Sequence, residues 1–356
     1  MSILAAPRPT GGLAFSGRGP LSRAVIERAV ALDSGDVPPP VSELEEAVSI
    51  ALASASDVVV DDDLQLALFV SYGLAYGSLG ALGERGEWDP PLLAARARIE
   101  RAFETRLRTV VPVVDAPPPA AERIASALFA LTAPHPGPSM ARFVEKEATA
   151  EQIRELLVLR SVYTLREADP HSWAIPRLTG APKAALVEIQ SDEYGSGRPE
   201  RMHATLFAVA MRGAGLDDAY AAYVDVVPAA VLASLNAMSM FGLNRRLLGA
   251  IVGHLAAFEM TSSLPNRRYA DGMRRTGFGP DVTDYFDEHV EADAVHEQIA
   301  GRDLAGRLGE ERPELLPDIL FGAAACLALD DFVADGAMTA WRAGASALRA
   351  PGAVSS

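Results

Sequence analysis

An all-α fold follows from three observations in the sequence. Ala and Leu dominate its 49% hydrophobic content while alternating Val/Ile-rich runs are scarce, which favours helices over strands. Helix-start signals recur: Ser42-Glu-Leu-Glu45 and Thr149-x-x-Gln152 have the capping-box pattern, and Asp89 stands as an N-cap before Pro90 and Pro91. Polar side chains also repeat at helical spacing, most clearly in His289, Asp293 and His296, which fall within roughly a 60° arc of a helix turning about 100° per residue.

Taken in order, residues 1–40 are rich in Gly, Pro and Arg and end in Pro38, Pro39 and Pro40, so a loose arm without a helix is expected. Helices are expected from Leu44 to Ala55, from Asp61 to the glycines after Tyr76, and from Leu92 to Val110. Pro-rich breaks at 115–119 and 133–138 follow, with His135 read as a solvated loop residue. Beyond Pro138 the Thr149 capping box opens a helix running to Glu167, and residues 183–213 form one periodic stretch that Pro199 should kink. Further helices are expected from Asp217 to Val224, from Pro228 to Leu243, from Arg245 to Ser262 with a break at Pro265–Arg268, from Tyr285 to Ile299, and as a pair between 313 and 343.

At 356 residues the chain can bury one large core or two modest ones. The 47 acidic and 32 basic residues leave a net charge of −15, which argues against nucleic acid and anionic membrane as partners and suits small cationic ligands. One cysteine, Cys326 in an apolar run, excludes a disulfide framework within the chain and suits a reducing cytoplasm. The N-terminus lacks a signal-peptide pattern, and the uncharged segments 64–83 and 226–244 read as buried helices rather than membrane spans.

Seven residues are candidates for one site: Glu167, Glu193, Glu200, His203, His289, Asp293 and His296. A Glu-x-x-His pair on one helix, with a carboxylate and imidazoles on another, is how helical bundles hold two non-haem irons. The four carboxylates carry a charge of −4 with neutral imidazoles, matching two divalent ions. Without metal such acids would repel inside a bundle. Hard carboxylate with imidazole suits iron or manganese over copper. A lone Glu-x-x-His is common on solvated faces, but three of the six histidines fall in these two motifs, and that decides for metal. On spacing alone Glu167 could equally cap a helix end or pair with Arg166. Glu188 and Glu291 lie off the inward face. His254 and Glu259, at i and i+5, read as a core histidine and its polar neighbour.

The run Arg166-Glu167-Ala-Asp-Pro170, then Pro176-Arg-Leu-x-Gly180, then Lys183 to Gly197 with His203, together with His289-x-x-x-Asp293-x-x-His296, resembles the haem-oxygenase-like diiron oxidases and oxygenases. The resemblance implies a seven-helix haem-oxygenase-like core over 139–345, a helical N-terminal extension over 41–138 of the kind used for dimerisation, and a tail over 346–356. It assigns Glu167 to the first ligand helix, Glu193, Glu200 and His203 to the second, and His289, Asp293 and His296 to the third. Glu200 completes the set of the amine N-oxygenating branch. The resemblance further implies two Fe(2+) per chain, one of them labile, with a partly disordered third ligand helix, and O2 as co-substrate. The expected activity is N-oxygenation of an amine or guanidine of a small metabolite in natural-product biosynthesis. Oxidative C–C cleavage, decarboxylation or desaturation of an amino or fatty acid is the alternative, and a helical binding protein without redox chemistry a third. A cytoplasmic homodimer served by an external electron donor completes the expectation.

Overall fold

A computed structural model describes residues 13–134 and 137–350, with the backbone alone for residues 291–294. His135 and residues 351–356 of the expected tail lie outside the described residues, as do residues 1–12 of the arm. Helices α1 (Pro20–Ser34), α2 (Val41–Ser54), α3 (Asp62–Tyr76), α4 (Pro90–Val110) and α5 (Ala121–Leu131) come first. They are followed by α6 (Met140–Lys146), α7 (Ala150–Thr164), α8 (Asp169–Ser172), α9 (Gly180–Glu193), α10 (His203–Gly213), α11 (Ala229–Leu243) and α12 (Leu248–Met260). Then come α13 (Ser263–Arg275), α14 (Pro280–Gln298), α15 (Arg307–Glu311) and α16 (Leu316–Arg342), with a π-helical turn, Ile299–Gly306, between α14 and α15. There is no strand among the described residues, as the composition predicts.

Local signals act where they were read. Asp61 and Asp89 accept from the backbone N–H groups of Leu64 and Leu92, and Thr149 and Gln152 close a reciprocal capping box. Five expectations need correction. Residues 20–34 are helical rather than part of a loose arm: Pro20 sits at the first turn, Leu21, Val25 and Ala29 repeat at i+4 and are buried, and Gly35 closes the helix in a left-handed conformation (φ 78°). α2 starts at Val41, so Ser42 lies inside the first turn instead of capping it. Residues 217–227 form turns rather than a helix, while Pro265 sits in the first turn of α13, where a missing N–H costs no hydrogen bond. The expected pair at the C-terminus is one 27-residue helix, α16.

The hydrophobic interior runs unbroken from Phe15 to Leu348. α3 packs on α11, and α12 lies along α16. That last crossing is unusually close because glycines face backbone on both sides. A Cβ on Gly253 would fall 1.8 Å from the carbonyl oxygen of Ile319, and one on Gly322 would fall 1.9 Å from that of Ala250. No single helix among the described residues is long and apolar enough to cross a membrane; the bent pair Arg245–Met260 and Ser263–Arg275 passes by length and composition only.

Candidate metal centre

Four short segments bring the candidate ligands together. α7 ends at Thr164, a turn carries the chain through Leu165 and Arg166, and Ala168 then adopts a left-handed conformation (φ 74°), an arrangement costing about 1 kcal/mol for a residue with a Cβ. The bend turns Glu167 inward, 5% exposed, and Arg166 outward, where it pairs with Asp169 at 2.7 Å. Glu167 therefore neither caps the helix nor pairs with its neighbour.

α9 brings in Glu193 and then stops. Gly195 (φ 70°), Ser196 (φ 50°) and Gly197 (φ 80°) are successively left-handed, and the chain doubles back so that His203 opens α10 with Nδ1 3.0 Å from Glu193 Oε2. Gly195 is required there, because a Cβ would stand 2.7 Å from the backbone nitrogen of Met202. Where a kink was expected, the helix is broken outright. The break also corrects the reading of Glu200: it lies exposed on a short turn, Pro199–Arg201, outside the buried cluster. Its i, i+3 relation to His203 presumed a continuous helix, and Met202, in an extended conformation (ψ 133°), interrupts it.

α14 supplies His289 and His296. The hydroxyl of Tyr285, one turn before His289, donates to both oxygens of Glu167 at 2.9 Å. The backbone carbonyl of Tyr285 accepts from Nδ1 of His289 at 2.7 Å. A carbonyl can only accept, so Nδ1 carries the proton and Nε2, 3.7 Å from Glu167 Oε1, presents the lone pair in the neutral ring. A ligating histidine is oriented in this way by its outer partner. Asp293 lies on α14, but its side chain is outside the described part of the structure, as is that of Glu291.

Two groups of ligand atoms result, each lying within 4.8 Å of one another: Glu167, Glu193, His203 and His289, and Glu193, Glu259 and His296. All these residues are buried. Glu259 was misread from the sequence because spacing compared it with His254 on its own helix. In the fold its partner is His296, with Nδ1 3.4 Å from Glu259 Oε2. The legible signal was a lone acid on the otherwise apolar α12. His254 instead meets His171 (3.2 Å), and burial holds both rings neutral, His171 down at about 4.

Electrostatics show what this donor set does on its own. Burial would raise the Glu193 carboxyl, but the imidazoles of His203, His289 and His296 pull it down to about 2. Burial pushes Glu259 up, and the nearby Glu193 charge adds to this against the opposing bond from His296. His296 stands between Glu259 and Asp192, the latter 3.2 Å from Nε2, and these acids outweigh burial and raise it to about 9. Protons and metal therefore compete for the same ring nitrogens. A raised histidine contributes stability that is complete below its ordinary value of 6.5 and is lost as pH rises through about 9. The melting temperature of metal-free protein is thus expected to fall across that window, and His296→Ala to flatten the fall. Melting curves at a series of pH values check this, and an unchanged slope in the variant would contradict it.

Carboxylates and imidazoles, buried and pre-oriented, fit iron. A small cavity adjoins the cluster, its walls including Tyr163, His171, Gln190 and Phe258 besides Glu167 and Glu193. Comparison with known proteins agrees. The family of iron-containing redox enzymes matches residues 154–331, half of the chain. Nitrosourea synthase of Streptomyces achromogenes subsp. streptozoticus is 29% identical over 160 residues, covering 44% of this chain and 34% of that protein, so the chain matches about a third of the relative's length. With its all-helical, haem-oxygenase-like architecture and its buried Glu/His cluster, the chain belongs to the family of iron-containing redox enzymes.

Proposed function

We propose that the chain is a non-haem diiron oxygenase that N-oxygenates an amine or guanidine of a small metabolite. In this reading Glu167, His203 and His289 would hold one iron and Glu259 and His296 the other, with Glu193 within reach of both sets, and Asp293, which the resemblance makes a ligand on the same helix as His289 and His296, would complete the donor set. Glu200 would join only if the 195–202 turn rearranged. Two ferrous ions there would supply reductive activation of O2. Conversion of R–NH2 to R–NHOH with release of water takes one O2, two protons and two electrons, so an external donor supplies the electrons.

The single observation that favours nitrogen as the target is Gln190. Its Nε2 donates to the carbonyl of Ala168 (2.9 Å) and to Ser172 Oγ (2.8 Å). That orientation is compulsory, since a carbonyl cannot donate. Oε1 is left buried without a hydrogen-bond partner, in the wall of the cavity beside the cluster. An orphaned acceptor there welcomes a substrate N–H donor. Leu255 and Phe258 give the same wall an apolar face, and the uncharged His171 keeps the cavity from repelling a cation. The name of the relative, nitrosourea synthase, supports chemistry at nitrogen.

The test is turnover of an amine and guanidine panel by iron-loaded protein with O2 and a reductant, followed by mass spectrometry. Products one oxygen heavier at nitrogen are expected, with Gln190→Leu raising KM by roughly tenfold for the loss of one hydrogen bond. Consumption of fatty or amino acids with cleaved carbon chains, and none of amines, would overturn the reading.

A further inference from the structure

Two carboxylates of the cluster arrive on separate segments, Glu167 between α7 and α8 and Glu193 at the last residue of α9. Directly after Glu167 comes the left-handed Ala168, a conformation that persists in a residue with a Cβ only where the surroundings hold it. What holds it is a chain of side chains drawn from both segments: Arg166, Asp169 and Ser172 from the first, and Gln190 and Tyr194 from the second.

The hydrogens of this chain have a single arrangement. The Asp169 carboxylate accepts from Arg166 Nε on Oδ2 at 2.8 Å and from the Tyr194 hydroxyl on Oδ1 at 2.9 Å. Tyr194 has one proton and Asp169 takes it. Ser172 Oγ, 2.9 Å from the Tyr194 oxygen, must therefore be the donor between those two. Its own proton spent, Ser172 accepts from Gln190 Nε2 at 2.8 Å. The other Nε2 proton of Gln190 goes to the carbonyl of Ala168 at 2.9 Å. The bonds thus run in one direction from Gln190 to Asp169, and the chain fastens the residue after Glu167 and the residue after Glu193 to the same set of partners.

We propose that Tyr194 and Ser172 are positioning residues, which hold the Glu167 and Glu193 segments at the separation an iron ion spans before the ion arrives. The proposal rests on the reading of the cluster as an iron site. Neither side chain belongs to the groups of ligand atoms, so each acts through the backbone that carries a ligand. Two buried carboxylates repel each other when no cation lies between them, and a chain bonded to both segments resists their separation. A site held open in this way loses less on ordering when metal binds.

Ferrous iron, titrated by calorimetry into the full-length metal-free chain without oxygen, tests this beside melting curves of the same metal-free samples. Tyr194→Phe, which deletes one hydroxyl and keeps the ring, and Ser172→Ala are each expected to weaken iron binding about tenfold, the lower end of what outer partners of metal ligands contribute. The double variant is expected to bind no more weakly than the worse single variant, because a chain broken once is already broken. Tyr223→Phe is the control. It too loses one hydroxyl hydrogen bond, the one accepted from the Asp217 backbone N–H at 2.8 Å, but it lies outside this chain. Its metal-free melting temperature is expected to fall by a few degrees, like that of Tyr194→Phe, while its iron affinity stays that of the wild type. Wild-type iron affinity in both Tyr194→Phe and Ser172→Ala would overturn the proposal and leave the iron site standing. So would additive losses in the double variant, or a loss in Tyr223→Phe as large as in Tyr194→Phe, since general loosening would then explain both. A wild-type chain that takes up no iron would sink the iron reading itself, and this proposal with it.

Discussion

Glu193→Ala is expected to cost the protein nearly all its bound iron and, with it, oxygen-dependent turnover. Glu193 is the member common to both groups of ligand atoms, so its loss removes a donor from each at once. Outer-sphere partners alone are worth about 10–100-fold in metal affinity; loss of a shared carboxylate ligand should exceed about 100-fold at both positions. The same carboxylate steadies the metal-free fold, because three imidazoles hold it down to about 2. A depressed acid contributes stability that is present above its ordinary value of 4.5 and is lost as pH falls toward 2. Metal-free Glu193→Gln should therefore melt below the wild type at neutral pH and at a similar temperature near pH 2. Iron analysis after anaerobic loading, with melting curves, checks both halves. Near-normal iron in Glu193→Ala would place the metal elsewhere.

The second large effect lies far from any charge. Gly253→Ala is expected to destabilise the protein by about 3 kcal/mol or more, because the new methyl group would occupy the position of the Ile319 carbonyl and force α12 away from α16. Backbone cannot rotate aside as a side chain can. The displacement would also carry Glu259, near the end of α12, out of register with His296 on α14, so iron at the second position should weaken along with stability. Gly336→Ala on the same α16 is the control. Nothing lies within 4 Å of its added Cβ, and relief of glycine's helix penalty should raise stability by up to about 1 kcal/mol. Equal melting temperatures for the two variants would mean that the α12–α16 crossing is not as close as described.

What the sequence disclosed depended on range. Caps such as Asp89 and Thr149 act within four residues and were legible, as was the helical class. His203, His289 and His296 were found because chemistry-bearing residue types at helical spacing are rare, while Glu167, which spacing left open, and Glu193 were assigned by the resemblance, and the fold does bring these five together. Glu200 was misplaced because the angle argument carried a helix through Gly195, Ser196 and Gly197, whose three left-handed residues end it. Glu259 was missed for the opposite reason: its partners lie on other helices, and no spacing along α12 points to His296. α1 was obscured by the glycines and prolines of the region around it, which outweighed its own i, i+4 apolar repeat.

The buried Glu/His cluster has the donors of an iron site. Anomalous diffraction at the iron edge, from crystals loaded with ferrous iron without oxygen, addresses it most directly. One peak is expected among Glu167, Glu193, His203 and His289 and a second beside Glu193, Glu259 and His296, roughly 3.5–4 Å from the first. Loaded crystals with no iron at this cluster, or with iron only at surface acids, would contradict it.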